Sequence, residues 1–344
     1  MQMISLKSSV RHAAALANYT SGAYLARLRG RVLILAYHRV LPEGQTRGRY
    51  VQPGMYVSAD VFEMHLRFLK KHCRVLSLGD LLTLWSTGGW DPSQRYCAIT
   101  FDDGWLDNWS VAFPILKKCE VPATIFLTTG LIGTARWFWP ERIAYLLQRW
   151  YMTRAGERRA QEMPGCLARL GWFRRLLAVP GDASINTAIE RLKDLREEDI
   201  QTCIDWLRNE LALELPNERM LLNWDEVRQM SRHGMAFGSH SVTHRILTKL
   251  GPDEVMQELV RSRETLSGQG ANTVPVFCYP NGNYNARIAS QVKAAGYEAA
   301  LTTRYGHEST AVTNPFALKR ICLHNDITKT LPLLTFHICG FNRG

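Results

Sequence analysis

The run Tyr96–Phe101 is apolar and stops on two adjacent carboxylates, Asp102 and Asp103, followed by Gly104. Val111, Ala112, Ile115 and Leu116 then recur at helical spacing, so the acidic pair lies in a strand-to-helix loop. The same unit repeats along the chain. Val32–Tyr37 is a continuous apolar run rich in branched residues, which reads as a strand buried on both faces, and His38 stands at its end. Arg39 to Pro53 reads as loop, after which Ser58 opens a helix with Val61, Phe62, Leu66 and Leu69 as its core stripe. His65 and His72 on that helix have no partnering motif and read as surface or packing residues. Val75–Leu78 reads as a short strand before a helical Leu81–Trp85, and Ala123–Leu127, Met235–Phe237, Val274–Cys278 and Leu318–Ile321 read as further strands. Strands alternating with helices imply an α/β protein of parallel βα units, with functional loops gathered at the carboxyl ends of the strands.

Far downstream, Gly238-Ser239-His240-Ser241-Val242-Thr243-His244 supplies two imidazoles at i and i+4. On one helical turn they would point the same way and could chelate a single ion. Two histidines and one carboxylate make a metal site, and a three-ligand zinc site leaves a position open for water. The second carboxylate then becomes a candidate general base.

Thr100-Phe101-Asp102-Asp103-Gly104 followed by His240-Ser241-Val242-Thr243-His244 resembles the polysaccharide deacetylases of carbohydrate esterase family 4, the NodB-like domain. The resemblance runs from about Val32 to about Ile321 with one large interruption. It implies a deformed (β/α)7-type barrel with a helical insertion. Carried onto this sequence, it implies that Asp102 is the catalytic base and that Asp103, His240 and His244 bind a divalent metal. Zn²⁺ is the first candidate, although two His and one carboxylate do not select zinc strongly.

Two motifs depart from the family pattern. Where the family usually has R-x-P-Y, with Arg orienting the catalytic Asp, this chain has Cys278-Tyr279-Pro280-Asn281. A backbone donor survives a side-chain change, so Asn281 keeps its expected part in the oxyanion site, beside Tyr279. The guanidinium contact does not survive at Cys278, and Arg320 is the candidate replacement. The usual late Leu-x-His that supplies the general acid is also missing in clear form. The apolar strand ending in Tyr37-His38 resembles the circularly permuted branch that processes poly-N-acetylglucosamine, which implies His38 as the acid rather than His324 or His337.

Residues 137–222 show helical periodicity without convincing strands and read as a helical insertion. Its first part is basic (Arg149, Arg154, Arg158, Arg159, Arg169, Arg174 and Arg175 against Glu157 and Glu162), and Asp194, Glu197, Glu198, Asp199 and Asp205 dominate later. Trp137 and Trp139 are candidates for a lid that offers aromatic faces to sugar rings. Residues 31–136 and 223–325 then form the barrel, 1–30 a basic helical segment and 326–344 a C-terminal tail.

The first forty residues contain Lys7, Arg11, Arg27, Arg29, Arg31 and Arg39 and no acid, a pattern that fits a packed helix first, contact with an anionic membrane second and a transit peptide third. A net charge of +11 favours an acidic partner, but no nucleic-acid-binding signature accompanies it. Eight scattered cysteines with no C-x-x-C pair argue against a zinc ribbon or a disulfide framework. With no apolar span and no secretory signal, the expectation is a cytoplasmic protein, in contact at most with the inner membrane. The expected substrate is an N-acetylated glycan, either free or lipid-linked. The rival readings are an O-acetyl esterase with the same metal and a non-catalytic glycan-binding protein of the same fold.

Overall fold

The computed structural model describes residues 2–45, 50–153 and 170–341. Arg154, Glu157, Arg158, Arg159, Glu162, Cys166 and Arg169 lie outside the described residues. The chain divides into two compact units, one of 1–43, 54–134 and 221–344, the other of 44–53 and 135–220. The second unit therefore includes a short piece of the loop after the first strand as well as the helical insertion.

The first unit is built on strands β1 (Arg31–Tyr37), β2 (Arg39–Leu41), β3 (Tyr56–Ser58), β4 (Arg74–Val75), β5 (Tyr96–Phe101), β6 (Thr124–Leu127), β7 (Ala236–Ser239), β8 (Thr273–Cys278), β9 (Ala299–Tyr305), β10 (Glu308–Ser309) and β11 (Leu318–Cys322). Seven of them, in the order β1-β11-β9-β8-β7-β6-β5, are joined by parallel pairings, and β5 pairs back onto β1 to close the barrel. This is the (β/α)7 barrel. The antiparallel β10 and the two-residue β4 extend the sheet beyond closure.

Alternation decides what fills the barrel. Val32 and Ile34, Tyr96 and Ala98, Val276 and Cys278, and Ala299 and Leu301 share one buried cluster, while the intervening residues of these strands are also buried. Burial on both faces explains why the strands read as continuous apolar runs. Gly238 is required by this packing, because a Cβ there would lie 2.4 Å from the Phe126 ring.

The expected strand Val75–Leu78 is corrected. Only Arg74–Val75 pairs, and Ser77 caps a helix that starts at Leu78, with Ser77 Oγ accepting from Asp80 N and Asp80 answering back to Ser77 N. This capping box outweighs the β-branched propensity of the preceding residues. Leu331–Ile338 is a helix with Leu333, Leu334 and Ile338 buried. The N-terminal helix Gln2–Thr20 packs against it, with Asn18 Nδ2 donating to Thr335 Oγ1 at 3.4 Å and Arg11 to the Ile327 carbonyl at 3.4 Å. No helix among the described residues is long and apolar enough to cross a membrane.

The second unit packs the helices Trp139–Met152, Gly171–Leu177, Asp182–Leu192 and Glu197–Leu211 around Leu146, Leu147, Trp150, Phe173, Ile189, Ile204 and Leu207. Tyr50 and Gln52 join it by hydrogen bonds to Asn186 and Glu190.

Candidate active site

The acidic pair sits directly after β5, and the turn that carries it is tight. Asp103 has φ 74° and Gly104 φ 80°, and a Cβ on Gly104 would come within 2.7 Å of Leu127. Glycine is therefore needed after the carboxylates to bring the loop back under the next strand. The strained Asp103 backbone turns its side chain away from that of Asp102, and the two neighbours enter different surroundings.

Asp102 is buried and faces Arg320 of β11. Arg320 Nη1 donates to Oδ1 and Nη2 to Oδ2, both at 2.7 Å, a forked pair in which each carboxylate oxygen is held. The guanidinium is held in turn, as its Nε donates to the Thr302 carbonyl at 2.9 Å and Nη1 reaches Thr100 Oγ1 at 3.3 Å. Burial alone would raise the Asp102 pKa, but the Arg320 charge and hydrogen bonds outweigh it and bring the carboxyl down to about 2. Cys278, at the motif position where the family usually has Arg, donates its thiol to Asp102 Oδ1 at 3.5 Å and accepts from Arg320 at 3.2 Å. A guanidinium therefore reaches this carboxylate from β11 rather than from β8.

Asp103 Oδ1 lies 3.4 Å from His240 Nε2 and 3.3 Å from His244 Nε2. One oxygen and two ring nitrogens thus converge closely enough to share one cation. His240 Nδ1 is 2.7 Å from the Cys278 carbonyl. A carbonyl only accepts, so Nδ1 carries a proton and it is Nε2 that faces the carboxylate oxygen. Nε2 and Oδ1 can face each other in a buried site only with a positive charge between them, either a proton on the ring or a cation in its place, so the residues fit a metal ion. Burial raises the Asp103 carboxyl, yet hydrogen bonds from His240 and His244 hold it well below the usual carboxylate range. The His240 ring is lowered by burial but is carried well above its ordinary value by Cys278 and Asp103.

The expectation that the two histidines share a helical turn is corrected. Residues 240–246 form a loop, with positive φ at Ser241 (65°) and His244 (63°), and the rings meet edge to face at 4.9 Å. The buried Glu258 makes this loop possible, because its Oε2 accepts from Val242 N at 2.8 Å and from Thr243 N at 2.9 Å. Two turn amides with no backbone acceptor of their own are satisfied by one carboxylate from the following helix.

His38 ends β1, between β5 and β11, and its Nε2 lies 3.9 Å from Asp102 Oδ2. Burial lowers its pKa against the pull of Asp103 and Asp102, so the ring is neutral at rest near neutral pH. The competing histidines are engaged elsewhere. His337 Nε2 is 3.0 Å from the Cys322 carbonyl, and His324 Nδ1 pairs with Asp326 at 3.1 Å.

Tyr279 is buried and its hydroxyl donates to the Phe316 carbonyl at 3.0 Å, so its side chain supports the end of β8. Asn281 turns the chain there with φ 57°, and its side chain pairs with Asn283. Trp137 and Trp139 belong to the helical unit. Trp137 is buried, with its indole donating to the Glu218 carbonyl at 2.9 Å and its ring edge-on to Tyr145, and Trp139 opens the helix to Met152 and packs on that unit's core. Sequence alone singles out neither Trp105 nor Glu258. Trp105 directly follows the acidic motif and its indole N–H reaches Asp103 Oδ2 at 2.8 Å, a position that was the available signal, whereas nothing local marks Glu258.

A family model, Polysaccharide deacetylase, matches residues 90–162 and 186–300, more than half of the chain and both histidine and aspartate motifs. The chain belongs to the polysaccharide deacetylase family. Among curated relatives, Bacillus subtilis YxkH, which is named for the same family, is 21% identical over 276 residues, covering 80% of this chain and 66% of its own length. A poly-beta-1,6-N-acetyl-D-glucosamine N-deacetylase of Staphylococcus aureus is 37% identical over 78 residues, 22% of this chain and 26% of that protein. This polysaccharide deacetylase thus spans less than two thirds of either relative's length. Of solved structures, the deacetylase PplD of Streptococcus pyogenes superposes with a TM-score of 0.57 at 21% identity, covering 89% of this chain and 97% of the other. IcaB of Ammonifex degensii gives 0.54 at 16% identity, with 90% and 98% covered. These likenesses concern the fold.

Proposed function

We propose that this chain is a metal-dependent hydrolase that removes N-acetyl groups from the amino sugars of a polysaccharide or glycan precursor. The observation that carries the reading is the pair of unlike neighbours, Asp102 forked by Arg320 and Asp103 facing two imidazoles. Asp103, His240 and His244 would hold a divalent ion, with zinc the first candidate. Such an ion supplies a Lewis acid that polarises an acetyl carbonyl and acidifies water. Asp102, kept ionised and aimed by Arg320, accepts the water's proton. His38, neutral at rest and 3.9 Å from Asp102 Oδ2, takes over the proton that Asp102 has accepted and delivers it to the departing nitrogen. The backbone at Asn281 is the proposed oxyanion donor, whereas the burial of Trp137 and the packing of Trp139 on the core of the helical unit leave neither with a proposed sugar-facing role.

The partial likeness to the staphylococcal N-deacetylase supports an amide substrate over an ester. The test is acetate release by the purified, metal-loaded chain from N-acetylated and from O-acetylated glucosamine oligomers, assayed in competition. Release from the N-acetyl substrates is expected. Release from the O-acetyl substrates alone would make the chain an esterase, and release from neither would favour a binding protein.

Peripheral membrane contact, which would suit a lipid-linked substrate, is a separate proposal. The helix Gln2–Thr20 exposes Val10 at 62% and Leu16 at 54%, and seven described cysteines outside any disulfide suit a reducing, cytoplasmic setting. Binding to anionic vesicles that falls with salt and is lost in Val10→Gln/Leu16→Gln is expected, and unchanged binding by that variant would rule out this face.

A further inference from the structure

The side chains just beyond the acidic pair form a connected set that the reaction does not use. Trp105 is buried to 1% exposure and donates its indole N–H to Asp103 Oδ2, while Oδ1 of the same carboxylate faces His240 and His244. The guanidinium of Arg39 lies 4.6 Å from the centroid of the Trp105 ring. Arg39 Nε donates to Asp107 Oδ2 at 2.9 Å, and Asp107 Oδ1 accepts from Val40 N at 2.8 Å. Asn108 Nδ2 donates to the His38 carbonyl at 2.8 Å. Trp105, Asp107 and Asn108 therefore grip two things at once, the carboxylate of Asp103 and the backbone just after the His38 side chain.

We infer that Trp105, braced by the Arg39–Asp107 pair, is a positioning residue that reserves one oxygen of Asp103 and leaves the other to the metal. The inference rests on the metal reading of Asp103, His240 and His244. The choice of donor has a physical reason. A guanidinium in this place would neutralise the ligand, as Arg320 does for Asp102, and weaken its hold on a cation. An indole N–H is neutral and donor-only, so it fixes Oδ2 and leaves the charge of the carboxylate available to the ion. With that donor removed, Oδ2 is left buried without it and is free to turn toward the cation, which changes the number of ligand atoms.

The test is titration of the purified full chain with Co²⁺ alone, followed by its visible d–d absorption, for the wild type, Trp105→Phe and Arg39→Gln. Trp105→Phe keeps a ring beneath Arg39 and removes only the donor. Its Co²⁺ dissociation constant is expected to rise about tenfold or more, with a weaker d–d band from the higher coordination number. In turnover assays kcat should fall while KM stays within about twofold, since substrate contacts are untouched. Arg39→Gln, at a partly exposed position, leaves the indole whole and should move affinity and spectrum in the same direction by a smaller factor. If Trp105→Phe binds Co²⁺ with wild-type affinity and spectrum, the inference fails. Should that variant not fold, wild-type behaviour of Arg39→Gln overturns it instead. A wild-type chain that binds no stoichiometric Co²⁺ contradicts the metal reading itself, a separate failure that is visible before any variant is compared.

Discussion

The carboxyl end of the barrel and the core of the helical unit are both buried, but by opposite means. At the barrel mouth Asp102, Asp103, His240, Ser241, Glu258 and Arg320 are buried, and each is held by a partner across the barrel or in a neighbouring loop. In the helical unit Ser184 is the one buried polar residue among the described residues, and the rest of the core is aliphatic and aromatic. Buried polar groups cost stability unless each is satisfied, so a fold keeps a dense set of them where they serve another purpose. The difference teaches where chemistry and stability reside. The barrel mouth should tolerate changes in stability terms while losing activity, and the helical core should do the reverse.

The largest effect expected under this contrast is at the ligands. His240→Ala and His244→Ala should each lose stoichiometric metal and measurable turnover with little change in thermal unfolding, read by elemental analysis and calorimetry. Full metal occupancy in both variants would break the contrast at its centre. Next is His38→Ala, expected to lower turnover by about 10²-fold or more while metal is retained, the scale typical of a general acid. Leu147→Ala in the helical core should instead cost about 2–5 kcal/mol of stability, by lost burial and the cavity left behind, with little effect on the turnover of the protein that remains folded.

The smallest effect sharpens the comparison from within the barrel unit. His65 is buried away from the acidic pair, between the Tyr37 hydroxyl at 3.2 Å and the Thr328 carbonyl at 2.7 Å, and burial lowers its pKa to about 4. A histidine whose folded pKa lies below its unfolded value of 6.5 contributes its full stability above pH 6.5 and loses it as the pH falls toward 4. Over that window it accounts for on the order of 3 kcal/mol, so His65→Gln should flatten the pH dependence of unfolding between pH 6.5 and 4. An unchanged slope would mean that this imidazole is not buried neutral.

How much of this was legible in the sequence depends on the range over which each feature is set. Strands buried on both faces declare themselves as apolar runs, and Asp102, Asp103, His240 and His244 stand in short motifs whose spacing is local. The partnership of Asp102 with Arg320 spans 218 residues and exists only because β11 pairs beside β1 and β1 beside β5. Sequence could nominate Arg320 but not aim it. The helical turn expected at His240–His244 gave way to a loop because Glu258, on a separate helix, satisfies its amides. Trp105 was hidden for another reason. A tryptophan after a loop glycine reads as packing, and only the folded chain directs its indole donor at a carboxylate.

The most direct test of the account compares the two neighbouring carboxylates. Metal content and turnover should be measured side by side for Asp102→Asn and Asp103→Asn. Asp102→Asn should keep one metal per chain and lose most turnover, because the amide keeps its place beside Arg320 but no longer accepts the proton. Asp103→Asn should lose metal affinity and, with it, activity. Metal loss on Asp102→Asn together with full occupancy in Asp103→Asn would contradict this assignment, since the forked carboxylate would then be the ligand and its neighbour the base.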